Sequence, residues 1–146
     1  PETRKNSITY RTNLARLLEK LLQEGKTDKA KNIIDLAMKQ MPVDYFGYYT
    51  LLEPYASGYY KTGQQEKARQ LLDKLIKKYQ ENLDYYKGMS LSEQDDIHID
   101  IISAIERYRS LLLVMKDNED NAQYEKSRGT FNRYNKMFPR YKRDNE

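Results

Sequence analysis

A short motif that occurs twice constrains the fold of this chain more than any other feature. The segment at residues 24–30 (EGKTDKA) returns 38 residues later at residues 62–68 (TGQQEKA), so that a glycine, a lysine and an alanine recur in register. A self-similar period of 20 to 50 residues is typical of arrays in which each unit is one supersecondary element. The spacing therefore predicts a fold built from repeated units.

The residues around each copy of the motif fit a hairpin of two helices. Leucines recur at helical spacing before the first glycine: Leu14, Leu17, Leu18, Leu21 and Leu22. Gly25 is expected to end that helix in a left-handed conformation, and Ala30 leaves room for the second helix to approach. Pro42 is expected to stop the second helix. The order recurs around Gly63, where Pro54 is expected in the first turn or at a kink.

A third hairpin is predicted from periodicity alone, because this part of the chain lacks the glycine and alanine markers. Ser90 and Glu93 have the spacing of a capping box, in which each side chain bonds the backbone of the other residue. One long helix is expected from about 91 to 116, and another from about 121 to 137. The second hairpin is expected to end with a helix over about 64–80.

Together these patterns predict an all-α fold, a right-handed stack of three antiparallel helical hairpins with about six helices. A single repeat domain is expected over residues 1–139, with hairpins at about 7–42, 43–82 and 90–138. Within the second hairpin, residues 43–50 are expected to form an irregular lead-in. Residues 140–146 are expected to be a flexible basic tail.

Composition excludes several classes of site. The 146 residues include no cysteine, which rules out disulfides, thiolate metal ligands and a cysteine nucleophile. The longest apolar run is only residues 111–115, far below the roughly 20 residues of a membrane-spanning helix. The chain begins at Pro1 without a methionine, and we expect it to be a piece of a longer protein.

The net charge of +4 is spread unevenly, since residues 1–26 and 121–146 are basic and the middle is mildly acidic. Basic side chains near the end could contact an anionic lipid surface or a nucleic acid: Arg128, Arg133, Lys136, Arg140, Lys142 and Arg143. A solvated helix face is the alternative. The charge is too weak for a dedicated nucleic-acid protein, and no nucleic acid is expected as a partner.

Two resemblances follow from these residues. The spacing of Leu14, Gly25, Ala30 and Ile34, repeated by Leu52, Gly63, Ala68 and Leu72, resembles the tetratricopeptide repeat. Five short runs resemble the soluble C-terminal region of a bacterial membrane protein family of unknown function that is related to protein O-mannosyltransferase-like glycosyltransferases. They lie at residues 41–45 (MPVDY), 48–49 (YY), 54–56 (PYA), 59–63 (YYKTG) and 81–86 (ENLDYY).

The second resemblance implies that any catalytic part lies in an N-terminal membrane domain of the parent protein. It places this soluble segment on the extracytoplasmic, or periplasmic, side of a bacterial membrane, with a cytoplasmic location as the alternative. It carries over no catalytic residue, and no cofactor is expected here. The expected function is a non-catalytic interaction or scaffold module that binds a protein or peptide, including the membrane domain of its own parent chain.

Tyrosine is abundant, at 14 residues, and it crowds the start of the second hairpin. Tyr59 occupies a packing position. Because adjacent tyrosines on a helix cannot all face inward, Tyr60 or its neighbours are expected to be exposed. The first helices of stacked hairpins line a concave surface. The residues expected to line it are Thr12, Glu19, Gln23, Glu53, Ser57, Tyr60, Lys61, Arg107 and Leu111. Tyrosine beside charged residues suits recognition of an extended peptide or a sugar.

The alternative from another class is a small helical enzyme that uses Asp95, Asp96, His98 and Asp100. On a helix Asp95 and His98 are three residues apart and can meet. His98 is the only histidine in the chain, which gives a metal site or a catalytic triad few ligands to draw on. A charged helix N-terminus accounts for the same residues, and no metal is predicted.

Overall fold

A computed structural model of the protein describes residues 2–40 and 52–141, and over these residues all regular structure is helical. They form α1 (Glu2–Gln23), α2 (Thr27–Gln40), α3 (Glu53–Lys61), α4 (Gln65–Lys87), α5 (Leu91–Asp96), α6 (His98–Asp117), α7 (Asn121–Lys136) and a 3-10 helix (Pro139–Tyr141). The all-α class is therefore confirmed for this part of the chain. The predicted lead-in at 43–50 and the tail residues 142–146 lie outside the described residues.

The turns that follow α1, α3 and α6 have the same backbone geometry. Gly25, Gly63 and Glu119 adopt positive φ angles of 72°, 76° and 60°. In each turn the N–H of this residue donates to the carbonyl three residues back, and the next N–H donates to the carbonyl five residues back. These two bonds form the Schellman motif that closes helix C-termini. The helix ends predicted at the two glycines are confirmed, and the third hairpin turns in the same way without a glycine.

The pattern of buried side chains is also the same when positions are counted from these three turn residues. The side chain seven positions before the turn residue and the one twelve positions after it are buried around all three turns: Leu18, Ala56 and Leu112, then Ala37, Leu75 and Phe131. The third hairpin departs at two positions. Half-buried Tyr124 stands where the first hairpin has Ala30, and exposed Arg128 stands where it has Ile34.

The chain forms two compact units, Pro1–Leu72 and Asp73–Glu146, and the boundary falls within α4. In the first unit, α1 contacts α2 and both contact α3. Gly58 of α3 lies against the fully buried Leu18 and Ile34, and a Cβ on it would be 2.9 Å from Leu18 Cδ2 and 3.0 Å from Ile34 Cδ1. A helix therefore covers this face of the first hairpin. The single domain expected over 1–139 stays a prediction.

Pro54 lies in the first turn of α3, as predicted, where its missing N–H leaves no helical bond unmade. α4 is longer than the predicted 64–80 and ends at Lys87. Leu83 accounts for the extra turns, because it is fully buried and continues the apolar stripe past residue 80.

In the second unit, α7 runs parallel to the C-terminal part of α4. Three hydrogen bonds join residues that are each 50 positions apart. Gln123 Nε2 donates to Asp73 Oδ1 at 3.5 Å, Tyr134 Oη donates to Asp84 Oδ2 at 3.1 Å, and Lys87 Nζ donates to the Met137 carbonyl at 3.2 Å. The constant offset fixes the register of the two helices.

Tyr108 of α6 lies at the centre of this second unit. Its ring is buried and meets Phe131 edge to face, with the centroids 4.9 Å apart. Its hydroxyl accepts a bond of 2.9 Å from Gln80 Nε2 on α4. Burial raises the pKa of the Tyr108 hydroxyl, so the group remains a neutral partner for the amide. One side chain thereby connects α4, α6 and α7.

The long helix expected over 91–116 is wrong, because the structure has two helices that separate at Ile97. The capping box of Ser90 and Glu93 starts α5 as predicted. Gln94 is buried, and its Nε2 donates to the Tyr86 carbonyl at 3.0 Å, which ties α5 back to the end of α4. At Ile97 the N–H bonds the Gln94 carbonyl three residues back, and α6 begins anew.

Candidate functional site

In the acidic cluster around His98, the Asp95 carboxylate makes a contact within the fold. The Asp95 carboxylate accepts bonds from Arg140 Nη2 at 2.8 Å and from Tyr141 Oη at 2.6 Å. Both hydrogen bonds lower the pKa of Asp95, and the bond from Tyr141 has the larger effect. Asp95 thus holds the 3-10 helix against α5, and the first two residues of the predicted tail, Arg140 and Tyr141, belong to this contact.

The other members of the cluster do not join Asp95 through their side chains. The His98 ring nitrogen Nδ1 lies 2.9 Å from the Asp95 backbone carbonyl, not from its carboxylate. Asp96 and Asp100 are exposed. Across residues 2–40 and 52–141, no group of three or more histidine or acidic side chains is placed to hold a metal ion. The enzyme hypothesis gains no geometric support from this arrangement.

Most residues of the predicted concave face are accessible, and seven of the nine fall in the first unit. Glu19 and Gln23 are exposed on α1, and their spacing of four puts them on one side of the helix. On α3 the predicted residues are the half-buried Glu53, Ser57 and Tyr60 and the exposed Lys61. The concave face stays a prediction, since accessibility alone does not show that a ligand binds.

The remaining predicted residues have different positions. Arg107 is exposed on α6 in the second unit, and Thr12 is half-buried on α1. The prediction that Leu111 lines the surface is wrong, because its side chain is fully buried in the second unit. Of the adjacent tyrosines, Tyr59 is buried as expected, which raises its pKa, whereas Tyr60 is half-buried rather than exposed.

The sequence did not reveal an open cavity of about 390 Å³ on the third hairpin, between α6 and α7. Its apolar side chains include Leu112, Phe131 and Leu113, the last of which is 44% exposed. Three cations also line it: Arg109, Arg128 and Lys136. Tyr124, Asn132 and the buried Asn135 complete the lining, so the cavity combines a largely apolar floor with a basic rim.

The cations of the rim have defined neighbours. Arg109 pairs with Glu106 one turn earlier on α6, and its guanidinium lies 5.2 Å from the centre of the Phe131 ring. Arg128 lies 3.7 Å from Glu125 on α7, and both side chains are more than half exposed. A pair that is exposed to this degree contributes little to stability, so the Arg128 guanidinium is available at small cost to another carboxylate.

The sequence contains a pattern that indicates this cavity. The pattern becomes visible only when Glu119 is aligned with the turn residues Gly25 and Gly63. Counted from Glu119, the residues that match Leu18 and Ile34 are Leu112 and Arg128, and both line the cavity. Leu18 and Ile34 are the residues that Gly58 of α3 packs against in the first unit. The cavity therefore occupies the face that a helix covers on the first hairpin.

Comparisons of the chain with protein-family models, with curated proteins and with solved structures gave no match. The tetratricopeptide resemblance and the glycosyltransferase-related resemblance therefore stay predictions from the sequence. None of the described helices combines the length and the apolar character that crossing a membrane requires.

Proposed function

We propose that this chain is a non-catalytic protein-interaction module, built as a right-handed stack of three tetratricopeptide-like hairpins. The observation that carries the proposal is the recurrence of one turn at Gly25, Gly63 and Glu119, with the same pair of backbone bonds each time. Repeated hairpins that bury equivalent positions form extended, rigid surfaces, and proteins of this architecture use such surfaces to bind partners.

The module would recognise its partner through a surface whose shape is held by the buried side chains that pack under it. In the first unit, the fully buried Leu18 and Ile34 meet the backbone of α3 at Gly58, which holds α3 firmly on the first hairpin. On this helix Lys61 is exposed and Tyr60 is half-buried. Because little backbone ordering is needed on binding, an extended peptide would meet a preformed surface.

The wider setting of the module is a second part of the proposal. We propose that it is the accessory C-terminal domain of a membrane-bound, glycosyltransferase-like protein, placed outside the cytoplasmic membrane. The support is the sequence resemblance at 41–45, 48–49, 54–56, 59–63 and 81–86, of which the first two runs lie outside the described residues. Fractionation of source cells with an antibody against this chain tests it. A membrane-bound species larger than 17.5 kDa supports the setting, and a soluble species of 17.5 kDa contradicts it.

Site-specific photo-crosslinking in living source cells tests the interaction surface. A photoreactive phenylalanine analogue would replace Lys61 on α3 or Glu19 on α1, and Lys39 on α2 serves as the matched control because all three side chains are exposed. We expect one discrete adduct from Lys61 and Glu19 and none from Lys39. Equal labelling at the three positions, or no adduct at any of them, would contradict this surface.

A further inference from the structure

We propose that the cavity on the third hairpin binds an acidic amphipathic helix of a partner protein. The inference rests on the proposed function, because it gives the interaction module a second surface and a partner of defined chemistry. It is carried by three observations on the described residues: where the cavity lies, what forms its floor and what charge surrounds it.

The position of the cavity indicates that a helix fits there. On the first hairpin, Leu18 and Ile34 form a surface that α3 covers, with the α3 backbone in direct contact at Gly58. The matching residues of the third hairpin, Leu112 and Arg128, border the cavity instead. The same helix–turn–helix geometry thus presents the same face, and the chain itself shows that this face accepts a helix.

The floor of the cavity indicates that the helix has an apolar side. Leu112 and Phe131 are buried at its base, and Leu113 is 44% exposed at its edge. The volume of about 390 Å³ gives room for a few apolar side chains. An amphipathic helix binds such a groove by laying residues at i, i+3, i+4 and i+7 into it.

The rim indicates that the helix carries acidic side chains beside its apolar side. At the positions of Ala15, Glu19 and Ile34 in the first hairpin, the third hairpin has Arg109, Leu113 and Arg128. These exchanges remove one acidic side chain and add two cations, and Lys136 adds a further cation. Complementary charge across an interface selects the partner and speeds its association, so the rim favours a helix with carboxylates beside its apolar stripe.

The apolar floor argues against nucleic acid as the occupant. Phosphate backbones are recognised through basic residues and carry no apolar face to cover leucines such as Leu112 and Leu113. A mixed surface of leucine, phenylalanine and arginine is instead typical of the centre of protein–protein interfaces. The basic residues near the chain end, which the sequence left open between a solvated face and an anionic partner, thereby gain a specific role at Arg128 and Lys136.

The test uses the full chain and designed peptides as probes. The acidic probe is a fluorescent helix of about 15 residues, or roughly four turns, with leucines on one face and glutamates on the other. A second probe has the same leucines with lysines in place of glutamates, and a third carries a proline at its centre to prevent the helix. Binding is measured by fluorescence anisotropy, and the contact surface is mapped by amide chemical-shift changes in the labelled chain.

We expect the acidic probe to bind at least about tenfold more tightly than either of the other two, and more weakly as salt rises from about 50 to about 500 mM. The variants Arg128→Glu and Leu113→Asp should each weaken binding of the acidic probe about tenfold. In the unchanged chain, the amide chemical-shift changes on binding should be confined to α6 and α7. Lys126→Glu is the matched control, because Lys126 is exposed on α7 and does not line the cavity. Circular dichroism of each variant verifies that the fold is retained.

Several results would overturn the inference. It fails if the acidic and basic probes bind equally, or if Arg128→Glu binds the acidic probe as tightly as the unchanged chain. It also fails if a single-stranded oligonucleotide or inorganic phosphate displaces the probe. A dimer of the chain that Leu113→Asp dissociates would overturn it too, because a second copy would then cover the cavity. Shift changes on α1 and α3 would also overturn it while supporting the proposed function. Binding at the cavity without any crosslink at Lys61 would support the inference and remove the α1–α3 surface.

Discussion

Gly58 is the position at which the packing of the first unit can be tested most sharply. The change Gly58→Ala adds one methyl group, which would lie 2.9 Å from Leu18 Cδ2 and 3.0 Å from Ile34 Cδ1. Both neighbours are fully buried, so they have little room to move aside. Overpacking of this kind costs about 1–3 kcal/mol. Replacing a helical glycine by alanine returns about 0.5–1 kcal/mol, and we expect a net loss of about 1 kcal/mol.

Gly129 offers the matched control for the same chemical change. It lies within α7, it is exposed, and a Cβ added to it would meet nothing within 4 Å. Gly129→Ala should therefore show only the gain in helix propensity, about 0.5–1 kcal/mol. The two substitutions are expected to change the free energy of unfolding in opposite directions, and the difference measures the contact at Gly58.

The assay should report on each unit separately, since the chain forms two compact units. Amide hydrogen exchange gives local opening free energies, read on α1 and α2 for Gly58→Ala and on α7 for Gly129→Ala. A double-mutant cycle sharpens the result, because Ile34→Val removes the Cδ1 atom that the new methyl would meet. Ile34→Val alone should cost about 0.5–1.5 kcal/mol, and its cost should shrink when Gly58→Ala is present. A Gly58→Ala chain that gains as much stability as Gly129→Ala would refute the close packing.

Three further predictions concern contacts within single units. The pKa of Asp95 is lowered below its ordinary value of 3.8 and that of Tyr141 is raised above 10.0, so docking of the 3-10 helix should contribute stability between these values. The amide chemical shifts of Arg140 and Tyr141 should move away from their values in the docked 3-10 helix as the pH falls below 3.8 through the Asp95 pKa. They should do the same as the pH rises above the Tyr141 pKa. The variant Asp95→Asn should abolish the transition at acid pH. Unchanged shifts across both limits would contradict the contact. Tyr108→Phe should cost about 0.5–1.5 kcal/mol in urea unfolding by losing the bond from Gln80, and Tyr108→Leu should cost more because the edge-to-face contact with Phe131 is lost as well. Lys67→Ala should change stability by less than about 0.5 kcal/mol, because its ion pair with Asp35 is 3.7 Å long and half exposed at both ends, and a larger loss would show that this surface pair matters.

The local parts of the fold were predictable because their causes are local. Gly25 and Gly63 mark turns since glycine adopts a positive φ without strain, and Ser90 with Glu93 marks a helix start through bonds between near neighbours. The third turn was not predictable in the same way. Glutamate rarely adopts a positive φ, so nothing at Glu119 indicates a Schellman turn, although the periodicity around it does predict two helices.

Features that depend on contacts between separate helices were missed. The break at Ile97 accompanies the bond from Gln94 to the Tyr86 carbonyl, a contact that no helical periodicity encodes. The fate of Asp95 depends on Arg140 and Tyr141, which are 45 and 46 residues away. The cavity was missed for a related reason, since the replacements by Tyr124 and Arg128 become visible only once the three turns are aligned. Helical periodicity was enough to predict that Glu19, Gln23 and Lys61 are accessible, while their role in a binding surface stays a prediction.

The most direct test of the repeated hairpin is the set of substitutions at its three equivalent turn positions. At Gly25 and Gly63 a Cβ would meet nothing within 4 Å, so Gly25→Ala and Gly63→Ala carry only the cost of a left-handed conformation, about 1 kcal/mol each. Glu119 has the same positive φ, and Glu119→Gly should therefore raise the free energy of unfolding by about 1 kcal/mol. Glu119→Ala is the control that removes the carboxylate but keeps the Cβ, and it should change little. A loss of stability in Glu119→Gly would contradict the shared turn, and with it the proposal that three equivalent hairpins form this module.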